Sequence, residues 1–327
     1  MCTPLYSPDD DNVAMNITDQ LRIPDNYQEA FAKNIVIVSL AIIIIFINGM
    51  LVVSFFCNSV FHSESRYILY INLVINDILM ICISVTLYVL TYAWPYINVS
   101  VCCTLLAIAS TTYMNTPLNL AGMAVERYIA ICKPLHHKQI CTVKSTYMLI
   151  CLLWGTGAIP AMIDIIIITA MQPSTFFYSL TFCQPIIVYN TAYHAQKTIV
   201  TQAIYMSVVW ITLIYTYFKV LFIAKVASSS HHQNSAKKAR NTILLHGCQL
   251  LLCMMSYVTP VLDMLLIPFF PTHRTKITFF NYLLTNILPR FLSPLIYGIR
   301  DQKFVRHIKG YFSCNMVLVK VRLSHMW

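Results

Sequence analysis

Seven long apolar runs constrain this chain more than any other feature of its sequence. The first lies between Lys33 and Glu64, where no acidic residue, lysine or arginine occurs. The others lie near residues 67–92, 102–131, 144–168, 198–223, 240–267 and 277–299. A helix needs about 20 apolar residues to cross a bilayer. Helices are the default there because backbone polar groups must bond internally. The runs therefore predict an all-α membrane protein, a seven-transmembrane helix bundle.

The composition argues against a soluble protein and against an enzyme. Hydrophobic residues make up 58% of the chain and charged residues only 10%, whereas soluble domains have about 25% charged residues. The chain has only seven glycines. We find no phosphate-binding glycine loop, Ser/His/Asp constellation or zinc-like Cys/His spacing in it. We therefore expect neither a catalytic residue nor a metal or other cofactor.

The distribution of basic residues predicts the orientation, because lysine and arginine accumulate in cytoplasmic segments. An odd number of spans places the termini on opposite sides. With the N-terminus outside, the outer segments hold only Arg22, Lys33, Lys197, Arg274 and Lys276. This predicts a plasma-membrane protein with an extracellular tail (1–33), a seven-helix bundle (34–300) and a cytoplasmic tail (301–327). The net charge of +10 is then explained by topology and anionic membrane lipid, not by nucleic acid.

Two modifications are predicted on the outer side. Asn16 begins an Asn-Ile-Thr glycosylation triplet, whereas the second triplet, at Asn98, lies close to the membrane. Cys102 and Cys103 open the third run, and Cys183 lies in the long outer loop that follows the fourth. An oxidising exterior permits a disulfide with Cys183. Cys102 is preferred as its partner, and Cys103 remains an alternative.

Five motifs within the runs carry a family resemblance. They are Asn48-Gly49, Leu73-Val74-Ile75-Asn76-Asp77, the segment from Met123 through Glu126-Arg127-Tyr128 to Leu135, the set Lys238, Ala239, Thr242 and His246, and Ser293-Pro294-Leu295-Ile296-Tyr297. In these motifs the chain resembles the rhodopsin-like G-protein-coupled receptors, and within them the odorant receptors, most closely a fish-type group. The resemblance implies a receptor for a small organic odorant that activates an olfactory-type, stimulatory heterotrimeric G protein.

The resemblance also implies a G-protein switch at the inner helix ends. Its residues are Glu126, Arg127, Tyr128, Tyr217, His246 and Tyr297. Charges at membrane depth are costly unless they are paired. We expect Glu126 to hold Arg127 at rest in a charge-assisted bond, and activation to free Arg127 for the G protein. The alternatives are that the pair merely anchors a helix end and that His246 is purely structural.

A polar core is implied at the middle of the bundle by Asn48, Asp77, Arg290 and Ser293. The related receptors have Asn where this chain has Ser293, and their polar site can hold sodium. Arg290, about one turn earlier, is a second departure. Because a lone buried guanidinium is costly, we expect it to pair with Asp77 and to replace the ion. The alternative is that it bonds helix carbonyls or water.

A ligand pocket is expected in the outer half of the bundle. Its candidate residues are Ser110, Tyr113, Gln202, Tyr205, Met206, Tyr257, Val261 and Asn286. Most are apolar or aromatic with one polar tip, which suits a small organic molecule, and each could equally be ordinary helix packing. Asp164 and Asp263, near the outer ends, could attract a cationic ligand or pair with Arg274 or Lys276.

The segment after the last run predicts an amphipathic helix on the inner leaflet. Phe304, Ile308 and Phe312 recur at four-residue spacing among basic residues over 301–314, a pattern typical of interfacial helices. Cys314 is then either a palmitoylation site or a free thiol.

Two other functions remain open from the sequence. One is a receptor of the same architecture for a non-olfactory small ligand or a peptide. The other is a transporter or channel, which needs charges or broken helices converging at mid-membrane, and only Asp77 and Arg290 meet that requirement.

Overall fold

A computed structural model of the chain describes residues 27–228 and 273–300, together with residues 251, 266, 269 and 270. Nearly all of this part is helical. The elements are α1 (Tyr27–Cys57), α2 (Ser59–His62), α3 (Ser65–Ala93), β1 (Tyr96–Asn98), α4 (Val99–Cys132), α5 (Pro134–Ile140), α6 (Val143–Met171), a 3-10 turn (Ser174–Tyr178), β2 (Leu180–Phe182), α7 (Pro185–Val188), α8 (Ala192–Ser228), α9 (Arg274–Tyr282), a π-helical turn (Leu283–Ile287) and α10 (Leu288–Arg300).

Five of the described helices are long and apolar enough to cross a membrane, namely α1, α3, α4, α6 and α8. They coincide with the first five predicted runs. The seventh run, 277–299, lies in the helical stretch formed by α9, the π-helical turn and α10. The sixth run, 240–267, falls almost wholly outside the described residues, as does the amphipathic segment at 301–314. The sequence therefore predicted each of the five described helices that could cross a membrane.

Side-chain caps set the starts of two long helices. The side chain of Asn98 accepts a hydrogen bond from the Ser100 backbone N–H (2.9 Å) at the start of α4. Thr142 accepts one from the Ser145 N–H (3.1 Å) at the start of α6. Such caps satisfy N–H groups that have no partner within the helix. Asn98, the second glycosylation triplet's asparagine, therefore has a structural use.

A proline in α6 is compensated by a neighbouring helix. Pro160 has no backbone N–H, so the carbonyl of Thr156, four residues earlier, loses its usual helical donor. The Tyr205 hydroxyl on α8 donates to this carbonyl at 2.6 Å. In a bilayer no water is available to replace the lost bond, so the contact fixes α8 against α6 at this level.

Helix α4 is central and packs against α3, α6 and α8. The largest buried cluster contains Tyr70, Phe61 and Leu120 and lies where α1, α3, α4 and α8 meet. Gly157 of α6 lies so close to α4 that a Cβ there would sit 3.5 Å from the Thr111 carbonyl oxygen and the Asn115 backbone nitrogen. Small residues permit this close helix approach in membrane bundles.

A disulfide and a two-stranded sheet close one end of the bundle, which we call the disulfide end. Cys102 at the start of α4 is bonded to Cys183, with a Cα–Cα distance of 5.5 Å. Strand β1 pairs with β2 in antiparallel register, Ile97 opposite Thr181. The preferred cysteine pairing is confirmed, and Cys103 is a free, buried thiol.

Candidate functional site

The candidate switch lies at the opposite end of α4 and centres on a buried carboxylate. Glu126 is 4% exposed, and its Oε2 atom lies 3.5 Å from Nε of Arg127. This separation is longer than that of a charge-assisted hydrogen bond. Arg127 is thus held next to an acid, as expected, but by a weak geometry that leaves room for other partners.

Two further residues surround this carboxylate. His137 on α5 approaches Oε1 of Glu126 through Nε2 at 3.1 Å, and the Ser65 hydroxyl on α3 donates to the same oxygen at 3.5 Å. We call Ser65, Glu126, Arg127 and His137 the Glu126 cluster. The sequence analysis predicted neither Ser65 nor His137 as a switch residue. The hydrophobic periodicity of a helix does not predict a contact between His137 in the loop and Glu126, eleven positions earlier.

The other predicted switch residues are placed less completely. Tyr128 follows Arg127 on α4, and its ring lies 6.0 Å from that of Tyr215 on α8. Tyr217 is half-buried on the same helix. Tyr297 belongs to α10, of whose end the structure gives only the backbone, and His246 lies outside the described residues.

The predicted polar core is assembled at mid-bundle. Asn48, Asp77, Arg290 and Ser293 are all buried. Nε of Arg290 lies 3.9 Å from Oδ1 of Asp77, so the cation on α10 and the acid on α3 face each other. Nδ2 of Asn48 has no hydrogen-bond partner among the described residues.

The Arg290 guanidinium has additional partners. Its Nη1 donates to the carbonyls of Thr285 (3.2 Å) and Asn286 (3.1 Å), and Nη2 approaches the Met80 sulfur at 2.9 Å. Pro289, four residues after Thr285, has no N–H with which to form an α-helical bond to the Thr285 carbonyl. Arg290 therefore both lies beside Asp77 and bonds to helix carbonyls, which the sequence analysis had considered as alternatives.

A second polar network joins α3 to α4 and has no counterpart among the predicted sites. Nδ2 of Asn76 donates to the Thr116 hydroxyl and to the Thr112 carbonyl, each at 3.0 Å, and Asn115 donates to Oδ1 of Asn76 at 3.1 Å. Polar side chains that bond across helices stabilise membrane bundles. Its sequence signal was the presence of asparagines inside apolar runs.

The structure describes six of the eight expected pocket residues. The side chains of Tyr113 on α4 and Gln202 on α8 lie close enough to interact, and Ser110 lies one turn from Tyr113, half-buried. Asn286 and Met206 are likewise half-buried, and Tyr205 bonds to Thr156 of α6 as described above. Tyr257, Val261 and Asp263 lie outside the described residues, as do Asn16 and Cys314.

The disulfide end carries an ion pair that the sequence did not predict. Nζ of Lys197 lies 2.6 Å from Oδ2 of Asp164, and Nε2 of His194 lies 3.3 Å from the Asp164 carbonyl. Lys276 instead contacts Glu29 at 3.6 Å. The structure thus pairs Asp164 with Lys197, whereas the sequence suggested Arg274, Lys276 or a ligand. Both Asp164 and its partner are largely buried, so little of this acid's charge reaches a ligand.

Tyr189, in the segment before α8, reinforces this corner. Its ring stacks on that of His194 at 5.1 Å between centroids. Burial raises the pKa of the Tyr189 hydroxyl, and the neighbouring Cys103 and Asp164 raise it further. Tyr189 is therefore protonated throughout the physiological range and adds no charge to the disulfide end.

Residues 47–297 match the model of the 7 transmembrane receptor (rhodopsin family). The chain is 30% identical to odorant receptor 131-2 of Danio rerio over 291 residues, which cover 88% of each chain. It is 25% identical to olfactory receptor 51L1 of Homo sapiens over 81% of this chain and 84% of the relative. It is also 27% identical to human olfactory receptor 4K17, over 56% of this chain and 57% of the relative.

Proposed function

Since this chain belongs to the rhodopsin family of seven-transmembrane receptors, and is a receptor rather than an enzyme, we propose that it detects a small organic odorant. The odorant binds in the outer half of the bundle, and the receptor then activates a heterotrimeric G protein of the olfactory, stimulatory type at the cytoplasmic face. The relatives named as odorant or olfactory receptors support this narrower assignment.

The observation that carries the proposal is the Glu126–Arg127 pair. A buried acid beside a basic residue at the end of an apolar helix is costly unless a function or strong bonding retains it. At rest the Glu126 carboxylate lies beside the Arg127 guanidinium, with Oε2 3.5 Å from Nε. On activation Arg127 leaves this acid and contacts a helix of the G protein. An odorant drives the change only if it binds the active arrangement more tightly than the resting one.

The character of the described pocket residues supports a small, mostly apolar ligand. Tyr113 and Gln202 offer a hydroxyl and an amide at neighbouring positions on α4 and α8, and Ser110 and Asn286 add polar tips. A few polar groups in an apolar surrounding fix a ligand's orientation. Asp164 is already paired with Lys197, which argues against an amine as the preferred ligand.

The orientation of the receptor in the membrane follows from the positions of its disulfide and of its basic residues. The disulfide end faces the exterior, because disulfides persist in oxidising compartments, and Cys102–Cys183 lies there. The opposite end, with Arg127 and the basic loop at Lys133 and Lys138, faces the cytoplasm. The N-terminal tail, with the glycosylation triplet at Asn16, is then outside, and the C-terminal tail is inside, against membrane lipid.

The polar core supplies a fixed cation in this scheme. Arg290, 3.9 Å from Asp77, takes the place that a diffusible sodium ion can occupy in related receptors. A tethered guanidinium cannot leave, so the Asp77 site does not respond to the sodium concentration.

The test is a signalling assay with a charge-matched control. Cells expressing the chain with an olfactory-type G protein are screened with water-soluble odorants, and cyclic AMP is measured. Arg127→Ala is expected to abolish the response to any active odorant. Lys138→Ala removes the same charge from an exposed position on α5 and is expected to respond like the wild type. A full response from Arg127→Ala would contradict the mechanism.

A further inference from the structure

The helical stretch from α9 to α10 contains a wide, π-helical turn at Leu283–Ile287. In this turn the Leu288 N–H donates to the Leu283 carbonyl, five residues earlier, whereas an α-helix uses the carbonyl four residues earlier. A π-helical turn adds one residue to a helix, and such turns occur frequently at functional sites. The added residue changes which side chains of α9 face the rest of the bundle.

The turn sets the rotation of α9 relative to α10. Successive residues of an α-helix lie about 100° apart, so closing the turn to an α-helix would bring Leu283 to the place that Tyr282 occupies. That place faces α3. The Tyr282 hydroxyl donates to Ser84 Oγ at 3.1 Å, and its ring stacks on that of Tyr88 with 5.8 Å between centroids. Leu283 has neither a hydroxyl nor a ring, so the π-helical turn decides that a phenol faces α3.

The Arg290 guanidinium bonds to two carbonyls of this turn. Its Nη1 donates to the carbonyls of Thr285 (3.2 Å) and Asn286 (3.1 Å). Nη2 lies 2.9 Å from the Met80 sulfur on α3, and Arg290 is only 3% exposed. Hydrogen bonds from a charged group are stronger than those between neutral groups. The guanidinium therefore stabilises the turn from inside the bundle and fixes it against α3.

We propose that Arg290 is a positioning residue of the ligand pocket, which keeps the turn π-helical and so makes Tyr282 the residue that α9 presents to α3. The inference rests on the function proposed above. It extends the pocket to Tyr282, Ser84 and Tyr88, which the sequence analysis did not predict. This side of the pocket accepts a ligand with a flat, unsaturated part, which packs on the two rings, and one polar group, which bonds to the hydroxyls.

The test is cross-linking of paired cysteines in the full-length receptor, without odorant or G protein. Ser84→Cys is combined either with Tyr282→Cys or with Leu283→Cys, and membranes are treated with dibromobimane, which becomes fluorescent when it bridges two thiols. The pair at 84 and 282 is expected to react faster, because these two residues are in contact. The pair at 84 and 283 is the matched control, and variants with a single added cysteine give the background from native thiols.

The role of Arg290 is isolated in a background where the turn is able to close. Pro289→Ala supplies a backbone N–H for an α-helical bond. With Arg290 present, this variant should still cross-link faster at 282. When Arg290→Met is added to Pro289→Ala, the turn should close and the order should reverse, with 283 faster than 282. A residue that served only stability would lower expression and leave the order unchanged, so the same order in both backgrounds would refute the proposal.

Asp77 provides the remaining controls. Arg290→Met leaves Asp77 as a buried acid beside no guanidinium, which lowers stability. Adding Asp77→Asn removes that charge, and the reversed order should persist in this better-folded variant. Asp77→Asn alone keeps the carbonyl bonds of Arg290 and should cross-link faster at 282. A reversal there would show that the ion pair holds the turn and would overturn the proposal. Cross-linking does not depend on signalling, so its failure leaves the proposed function standing, and Arg127→Ala tests that function separately.

Discussion

The pairing of Arg290 with Asp77 gives the most quantitative prediction. At the observed 3.9 Å, two unit charges in an effective dielectric of about 20 attract by about 4 kcal/mol. Removal of one partner leaves a buried charge without compensation, at a cost of roughly 3–5 kcal/mol. Arg290→Met and Asp77→Asn should each destabilise by this amount. The double variant buries no charge and should lie much closer to the wild type.

The assay is thermal unfolding of the purified receptor in detergent at a fixed heating rate. For a chain of this size about 1 kcal/mol corresponds to roughly 2 °C in Tm, so each single variant is expected to unfold about 6–10 °C lower. A double-mutant cycle then gives the coupling. Effects of the two single changes that simply add in the double variant, within about 0.5 kcal/mol, would refute the pairing.

Arg290 also donates to the Thr285 carbonyl, to which Pro289 offers no N–H, and the loss of this bond must be separated from the loss of charge. Adding Pro289→Ala to Arg290→Met restores a backbone N–H and should recover about 1 kcal/mol, with the charge effect unchanged. Replacing choline by sodium in the buffer should leave the wild-type Tm unchanged and raise that of Arg290→Met, where Asp77 no longer has a fixed cation. A sodium effect of equal size in both proteins would contradict the tethered-cation proposal.

Two further predictions concern the outer half of the bundle. Tyr205→Phe should lower stability by about 1–3 kcal/mol because the Thr156 carbonyl loses its donor. Pro160→Ala, which restores a helix N–H, should rescue most of this loss. Equal destabilisation by Tyr205→Phe with and without Pro160→Ala would contradict this. Cys102→Ser should cost about 2–5 kcal/mol of stability and sharply reduce surface expression. Cys103→Ser leaves the disulfide intact and should behave like the wild type. The reverse result would contradict the assignment of the disulfide to Cys102.

Local pattern was enough to predict the spans. The runs that became α1, α3, α4, α6 and α8 are recognisable because a bilayer requires about 20 apolar residues in succession, whatever the rest of the chain does. The Glu126–Arg127 contact was predictable for a similar reason, since adjacent residues at one helix end are close in any fold. The motifs around them were sufficient to recognise the rhodopsin family that the comparisons then established.

Contacts between distant segments were predicted only where charge left few choices. Asp77 and Arg290 were expected to meet because each is costly alone at membrane depth, and they do. Asp164 offered several possible partners near one end of the bundle, and the structure pairs it with Lys197, which was not among the suggested ones.

The sequence by itself determined that this chain is a membrane protein, which of the described helices are long and apolar enough to span a bilayer, and where an acid and a base adjoin near a helix end. These properties depend on neighbouring residues alone. The tertiary structure decided that Cys102 and not Cys103 forms the disulfide, that Tyr205 serves a carbonyl of α6, and that His137 reaches Glu126. Successive residues on a helix point about 100° apart, so each of these contacts depends on how the helices are rotated and how deep they sit. Packing of the whole bundle sets both quantities, and no single segment encodes them.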